Sequence, residues 1–287
     1  YDWLYLAPEN VINELYIGGF TRFDWKDVLA VSANAELMNT GDYKIEGKLS
    51  SPFFSASYVS QLYQPTLLQT RYFGNHYEWN NRFNSTFINE LKGEIRLKTG
   101  RFDVRPEANF TSLTNLVFLD TLALPQQTNG TLLSSRLGLS ADFRLMTNVE
   151  DNESFIFENT AYFSEVSGDE KAAFPIPQWL INSRWYWEGK WFQNSTPIEI
   201  GFNFHFKSGY YARSYRPELQ QFHVQNDDFI GAYFTIDPFI SMKVNKVFVF
   251  AKMTHVNMLP GGGYFITPRY PGQERIFDFG VRWIFFD

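Results

Sequence analysis

Residues 198–207 alternate without a break. Ile198, Ile200, Phe202, Phe204 and Phe206 share one side of an extended chain, and Glu199, Gly201, Asn203, His205 and Lys207 share the other. Successive side chains of a strand point to opposite faces, so a period of two makes a two-sided strand, whereas a helix would scatter the five apolar residues around its circumference. The same rhythm returns elsewhere. Leu137, Leu139, Ala141, Phe143 and Leu145 oppose Gly138, Ser140, Asp142 and Arg144. Leu29, Val31, Ala33, Ala35 and Leu37 oppose Ser32, Asn34 and Glu36, and Phe277, Phe279, Val281, Trp283 and Phe285 oppose Asp278, Gly280 and Arg282. This spacing predicts strands over 13–24, 28–38, 43–50, 53–63, 79–97, 101–118, 132–147, 154–165, 180–193, 197–210, 229–244, 246–258 and 275–287, with 1–6 as the stump of one more.

Many of these segments exceed the five or six residues of an ordinary soluble strand and suit the roughly 9–11 needed to cross a bilayer at a tilt. Their connections have a rhythm too. Short links at 25–27, 50–52, 99–100, 149–153, 194–196 and 245–246 mostly alternate with long ones at 64–78, 119–131, 166–179, 211–228 and 259–274, and the tight turn Asn39–Asp42 is the exception on the long side. Outer-membrane barrels combine short periplasmic turns with longer outward loops, which makes the last strand run inward. A soluble β-sandwich also alternates, but it hides its apolar face in a core about 10 Å thick. Here nearly every strand has an apolar face and no amphipathic helix is present to cover it.

Composition agrees. Aromatic residues make up 19% of the 287 residues, yet no run approaches a spanning helix; one face in lipid and one in water gives this combination of many rings and few long apolar runs. The chain contains no cysteine, which excludes disulfides and thiolate metal sites within it, and its net charge of -6 argues against nucleic acid as a partner. Tyr1-Asp2-Trp3 does not open like a signal peptide. The expectation is an all-β chain forming one transmembrane antiparallel up-and-down β-barrel of about fourteen strands over 1–287, with residues missing upstream. Its implied partners are outer-membrane lipid and other outer-membrane proteins or further copies of itself.

Residues 65–80 contain Pro65, then Arg71-Tyr72, Asn75-His76 and Trp79-Asn80. Farther on come Tyr210-Tyr211-Ala212, Tyr215-Arg216-Pro217 and the run Gln220 to Val224. The last third adds His255-Val256-Asn257, Tyr264-Phe265, Pro268-Arg269-Tyr270-Pro271 and Phe279 to Trp283. In this order, over roughly residues 65 to 287, the motifs resemble the "putative porin" family of Bacteroidota. The resemblance implies an outer-membrane barrel, and implies fold and location more strongly than transport. Family members are longer, in keeping with missing N-terminal strands. The chain ends in Asp287 where many such barrels finish on an aromatic, and Phe285 and Phe286 are expected to serve in its place.

If the polar face is a lumen, its charges are candidate pore-lining groups: Arg22, Glu36, Lys44, Glu46, Lys48, Lys92, Glu94, Arg96, Asp142, Arg144, Arg184, Glu188, Lys190, Glu199, Lys207, Lys243, Lys252, Asp278 and Arg282. Such mixed charges either pair across strands and fill a small barrel or line water in a wide one, and both readings stay open here. Trp185, Trp187, Trp191, Tyr210, Tyr211 and Trp283 are candidates for the membrane interface, where a ring with a polar edge is at home. No catalytic constellation, metal-ligand spacing or cofactor motif is legible. His223, near Asp227 and Asp228, reads as a loop residue; Asn226-Asp227-Asp228 reads as solvated loop charge, and Gly261-Gly262-Gly263 as a flexible loop. The favoured function is passive diffusion of small polar solutes. The rival is a blocked, partner-binding barrel within a larger outer-membrane complex.

Overall fold

A computed structural model describes residues 14–26, 28–148, 153–191, 196–258 and 263–283. The strand stump at 1–6, the Phe285-Phe286-Asp287 end and Gly261-Gly262 lie outside them. Thirteen antiparallel strands follow one another in chain order, each hydrogen-bonded to the next. They are β1 (Tyr16–Trp25), β2 (Leu29–Met38), β3 (Tyr43–Ser50), β4 (Phe54–Tyr63), β5 (Thr86–Ile95), β6 (Phe102–Thr114) and β7 (Thr131–Asn148). The meander continues through β8 (Glu153–Ser167), β9 (Trp179–Trp191), β10 (Thr196–Lys207), β11 (Tyr233–Val244), β12 (Val247–Thr254) and β13 (Ile276–Trp283). A fourteenth segment, Leu97–Thr99, pairs with β6 beyond β5. This is the expected up-and-down meander.

Two prolines shape it. The register that sets Glu94 against Glu107 resumes with Leu97 against Val104, so the gap falls opposite Pro106, whose ring leaves no N–H to donate. Between β11 and β12 the ladder stops at Phe239 against Lys252, one residue from Pro238. Beyond it the Val256 N–H still donates to the Ile236 carbonyl at 2.9 Å, and side chains supply the rest: the His255 N–H donates to Asp237 Oδ1 at 2.8 Å, and the Ile236 N–H to Asn257 Oδ1 at 2.9 Å. The tight turns have their own chemistry. Asn245 and Gly100, in two-residue links, take left-handed φ values of 53° and 50°, the conformation that twists with the flanking strands.

The register carries the alternation across the sheet. On one face Leu137 meets Ala108 and Phe163, Phe157 meets Trp185, and Trp185 meets Phe202. Large apolar side chains on this face stay open: Leu91 and Leu137 are each 52% exposed. Leaving such a side chain in water forgoes about 1.5–3 kcal/mol, whereas lipid removes that cost. Two apolar clusters are buried, both at the long-connection end. One joins Trp79, Ala123 and Leu219. The other joins Leu113 and Leu132, at the ends of β6 and β7, to Ala173.

Candidate functional site

The pairings place eighteen of the nineteen charged candidates on the face opposite that apolar surface. Glu36 stands against Lys44, Glu46 against Asn34, and Lys48 against Ser32. Lys92 stands against Asn109, Glu188 against Glu199, and Lys252 against Asp278. Arg96, the nineteenth, lies between the paired stretches that end at Ile95 and resume at Leu97, and reaches Asp103 at 2.5 Å. Ion pairs run across the sheet: Lys92 to Glu107 at 3.4 Å, Arg105 to Asp142 at 2.6 Å and Arg184 to Glu199 at 3.0 Å join neighbouring strands, and Arg144 reaches past β8 to Glu188 on β9 at 2.7 Å. The side chains of Arg184 and Glu199 keep 42% and 41% of their surface exposed. Pairs this solvated each contribute about 0–1 kcal/mol, so they set the local field more than the stability.

Aromatic rings interrupt the charge. The Arg184 guanidinium lies 4.7 Å from the Tyr186 ring centre and 4.8 Å from that of Phe239. Gly201 stands between those two residues in the register, and a Cβ there would come within 2.2 Å of the Trp185 carbonyl and 2.5 Å of the Tyr186 Cβ. Glycine is what lets these strands close on one another. Arg282 and Lys243 both lie over Phe248, at 4.3 and 5.3 Å.

At the long-connection end the same face opens into a cavity of about 450 Å³ lined by Asn182, His205, Lys207, Tyr233, Asp237 and His255. His205 Nδ1 shares a hydrogen bond with Asn182 Oδ1 at 2.7 Å. Asp237 pairs with Lys252 at 3.3 Å. His255 is buried; its Nδ1 faces the Gln273 carbonyl at 2.9 Å, and its Nε2 is bonded to the Tyr233 hydroxyl. Lys207 sits 5.3 Å from the Tyr210 ring and has no carboxylate within ion-pair distance among the described residues.

The long connections fold. Four short hairpins stand in them, Arg71–Phe73 with Glu78–Asn80, Val117–Leu119 with Pro125–Gln127, Ser214–Arg216 with Gln221–His223, and Phe265–Thr267 with Tyr270–Pro271. They also hold one another. The Val224 N–H donates to the Leu119 carbonyl at 2.9 Å, the Asn84 N–H to Gln127 Oε1 at 2.9 Å, and Arg213 Nη2 to the Ala173 carbonyl at 3.2 Å. Ile88, Leu113 and Leu132, on the polar side of their strands, pack with Phe118 and Phe174. The cap therefore lies on the charged side of the sheet.

These hairpins account for where the expected strands ran long. The predicted 79–97 merges a hairpin arm with β5, and 101–118 merges β6 with another arm. His223 differs from the sequence reading: it is buried in a hairpin, with Nδ1 facing the Val224 carbonyl at 2.9 Å. Among the interface candidates, Trp191 and Trp283 end β9 and β13 on the short-turn side. Trp185 stands in the middle of β9, where Asn159 Oδ1 accepts its indole N–H at 2.8 Å and so satisfies it on the apolar face. Trp187 lies one same-face step nearer the turn. Tyr210 and Tyr211 lie past the end of β10, Tyr210 half-buried and bridged to Ile230, Tyr211 edge-on to Phe229. The sequence reading passed over Asp103, Arg105, Glu107 and Asp237, although strict parity from Phe102 to Phe110 already sets the first three opposite the apolar residues.

Solved structures share this architecture. The FrpB iron transporter of Neisseria meningitidis matches with a TM-score of 0.58 at 12% identity, over 93% of this chain and 44% of that one. The ferric yersiniabactin uptake receptor FyuA of Yersinia pestis gives 0.57 at 10% identity, over 95% and 46%. The pyoverdine outer-membrane receptor FpvA of Pseudomonas aeruginosa gives 0.56 at 11%, over 95% and 42%. The chain thus spans less than half the length of these barrels, and the likeness is one of fold. No curated protein matches its sequence. Residues 5–287 match the model of a family described as "Putative porin".

Proposed function

The chain belongs to that porin family and is a bacterial outer-membrane β-barrel, and from this premise we propose that its charged face lines a water-filled passage for passive diffusion of small polar solutes. The observation that supports the reading is a face carrying paired but solvated charge from strand to strand, such as Arg184 on β9 and Glu199 on β10, whose side chains are 42% and 41% exposed. Side chains that filled a narrow barrel would be packed against one another and dry. Mixed rings of charge along water bias ion flow.

The cap favours a second reading, in which the outward mouth is closed and the barrel serves as a subunit of a larger assembly. Planar-bilayer recording of the whole protein separates the two. Discrete conductance steps are expected, and they should grow when residues 117–127 are replaced by a short Gly-Ser link. Silence from both proteins would discard diffusion in favour of the closed barrel.

A further inference from the structure

Beneath the cap lies a second cavity, of about 340 Å³. It falls at the lower end of the roughly 300–1,000 Å³ typical of small-molecule sites. Its lining is mostly apolar, with Trp79, Phe118 and Phe222 among the aromatic residues, and Gln69 and Gln221 among the polar ones. One charged residue, Arg213, lines it. Arg213 is half-buried and is held firmly: the Ala212 carbonyl before it accepts from Gln225 Nε2 at 2.6 Å, and its own carbonyl accepts from the Thr267 hydroxyl. Burial pushes the guanidinium pKa down, and no carboxylate offsets that.

An arginine has five N–H donors. Among the described residues only the Ala173 carbonyl accepts from this one, and no Asp or Glu lies within ion-pair distance. A sheltered cation without a counter-charge is costly, and a planar guanidinium pairs best with a carboxylate that can meet two of its donors at once. We propose that this cavity is a binding site for a small organic anion, a carboxylate joined to a flat apolar body, with Arg213 taking the carboxylate and Trp79 and Phe222 flanking the ring. The site stands whether or not the charged face conducts, because it requires only that the cap be folded.

Benzoate is a direct probe and benzamide its neutral counterpart of nearly the same shape. Both are titrated calorimetrically into the full chain in detergent micelles, where no passage across a membrane is involved. Benzoate should bind saturably at one site, and benzamide at least tenfold more weakly. Arg213→Ala should weaken benzoate at least tenfold, while Arg213→Lys retains part of the affinity. Equal binding of the two probes to the unmodified protein would overturn the proposal without recourse to any variant. So would undiminished benzoate binding by Arg213→Ala, or no saturable binding of benzoate at all.

Discussion

The spanning sheet and the loop cap solve the same problem in opposite ways. Along the strands, residues such as Leu91, Leu137 and Leu139 lie open on the apolar face, each about half exposed. In the cap, Leu132, Ala173 and Ala123 are sealed to 2% exposure or less. One chain thus meets two solvents. Where lipid is the neighbour, the sheet needs no interior of its own, and backbone pairing is the obligatory term. Where water is the neighbour, the connections must enclose their own apolar groups to hold a shape. The boundary between the two regimes runs through single strands: in β7, Leu132 belongs to the cap and Leu137 to the lipid face.

That contrast can be broken by experiment. The largest effect is expected from Leu132→Ala, which should cost about 2–5 kcal/mol in denaturant unfolding, the usual penalty for emptying a packed core site. Leu137→Ala, five residues along, should cost far less, because lipid chains fill the space. Equal losses would show that no such boundary exists. Next comes Leu139→Arg, expected to cost about 2–4 kcal/mol in refolding into lipid vesicles, as a charge near the bilayer midplane does. Ser140→Arg, facing the other way, should be nearly silent; reversed magnitudes would mean that the faces are assigned backwards.

The smallest effect concerns pH. Burial raises the Tyr210 phenol above its ordinary value of 10.0, so the folded cap holds that proton more tightly than the unfolded chain does. Its contribution is complete below the unfolded value and is lost as pH rises through the folded one. Tyr210→Phe should therefore flatten the alkaline loss of thermal stability above about pH 10. An unchanged slope would remove Tyr210 from the account.

Much of the sheet was legible from parity alone, because lipid on one side and charge on the other leave every second residue marked. Residues 198–207 show the pattern at its clearest, and β10 spans Thr196–Lys207. Legibility failed where that binary ended. Phe239, Phe248 and Phe250 share the charged face, where Phe239 and Phe248 serve as platforms for Arg184, Lys243 and Arg282, and hydrophobicity alone sends such residues to lipid. The cap hairpins were missed because their arms are two or three residues long, too short for a period to register. Arg213 carried no local signal either. Its standing depends on what is absent around it, and that is known only once Ala173 and Trp79, distant in sequence, are brought near.

The first cap cluster takes one member from each of three separate connections, Trp79, Ala123 and Leu219. None of these connections can be peeled away without stripping the other two of their cover. These three connections accordingly stand like the stones of an arch: a change of size at any one obliges the other two to be recut.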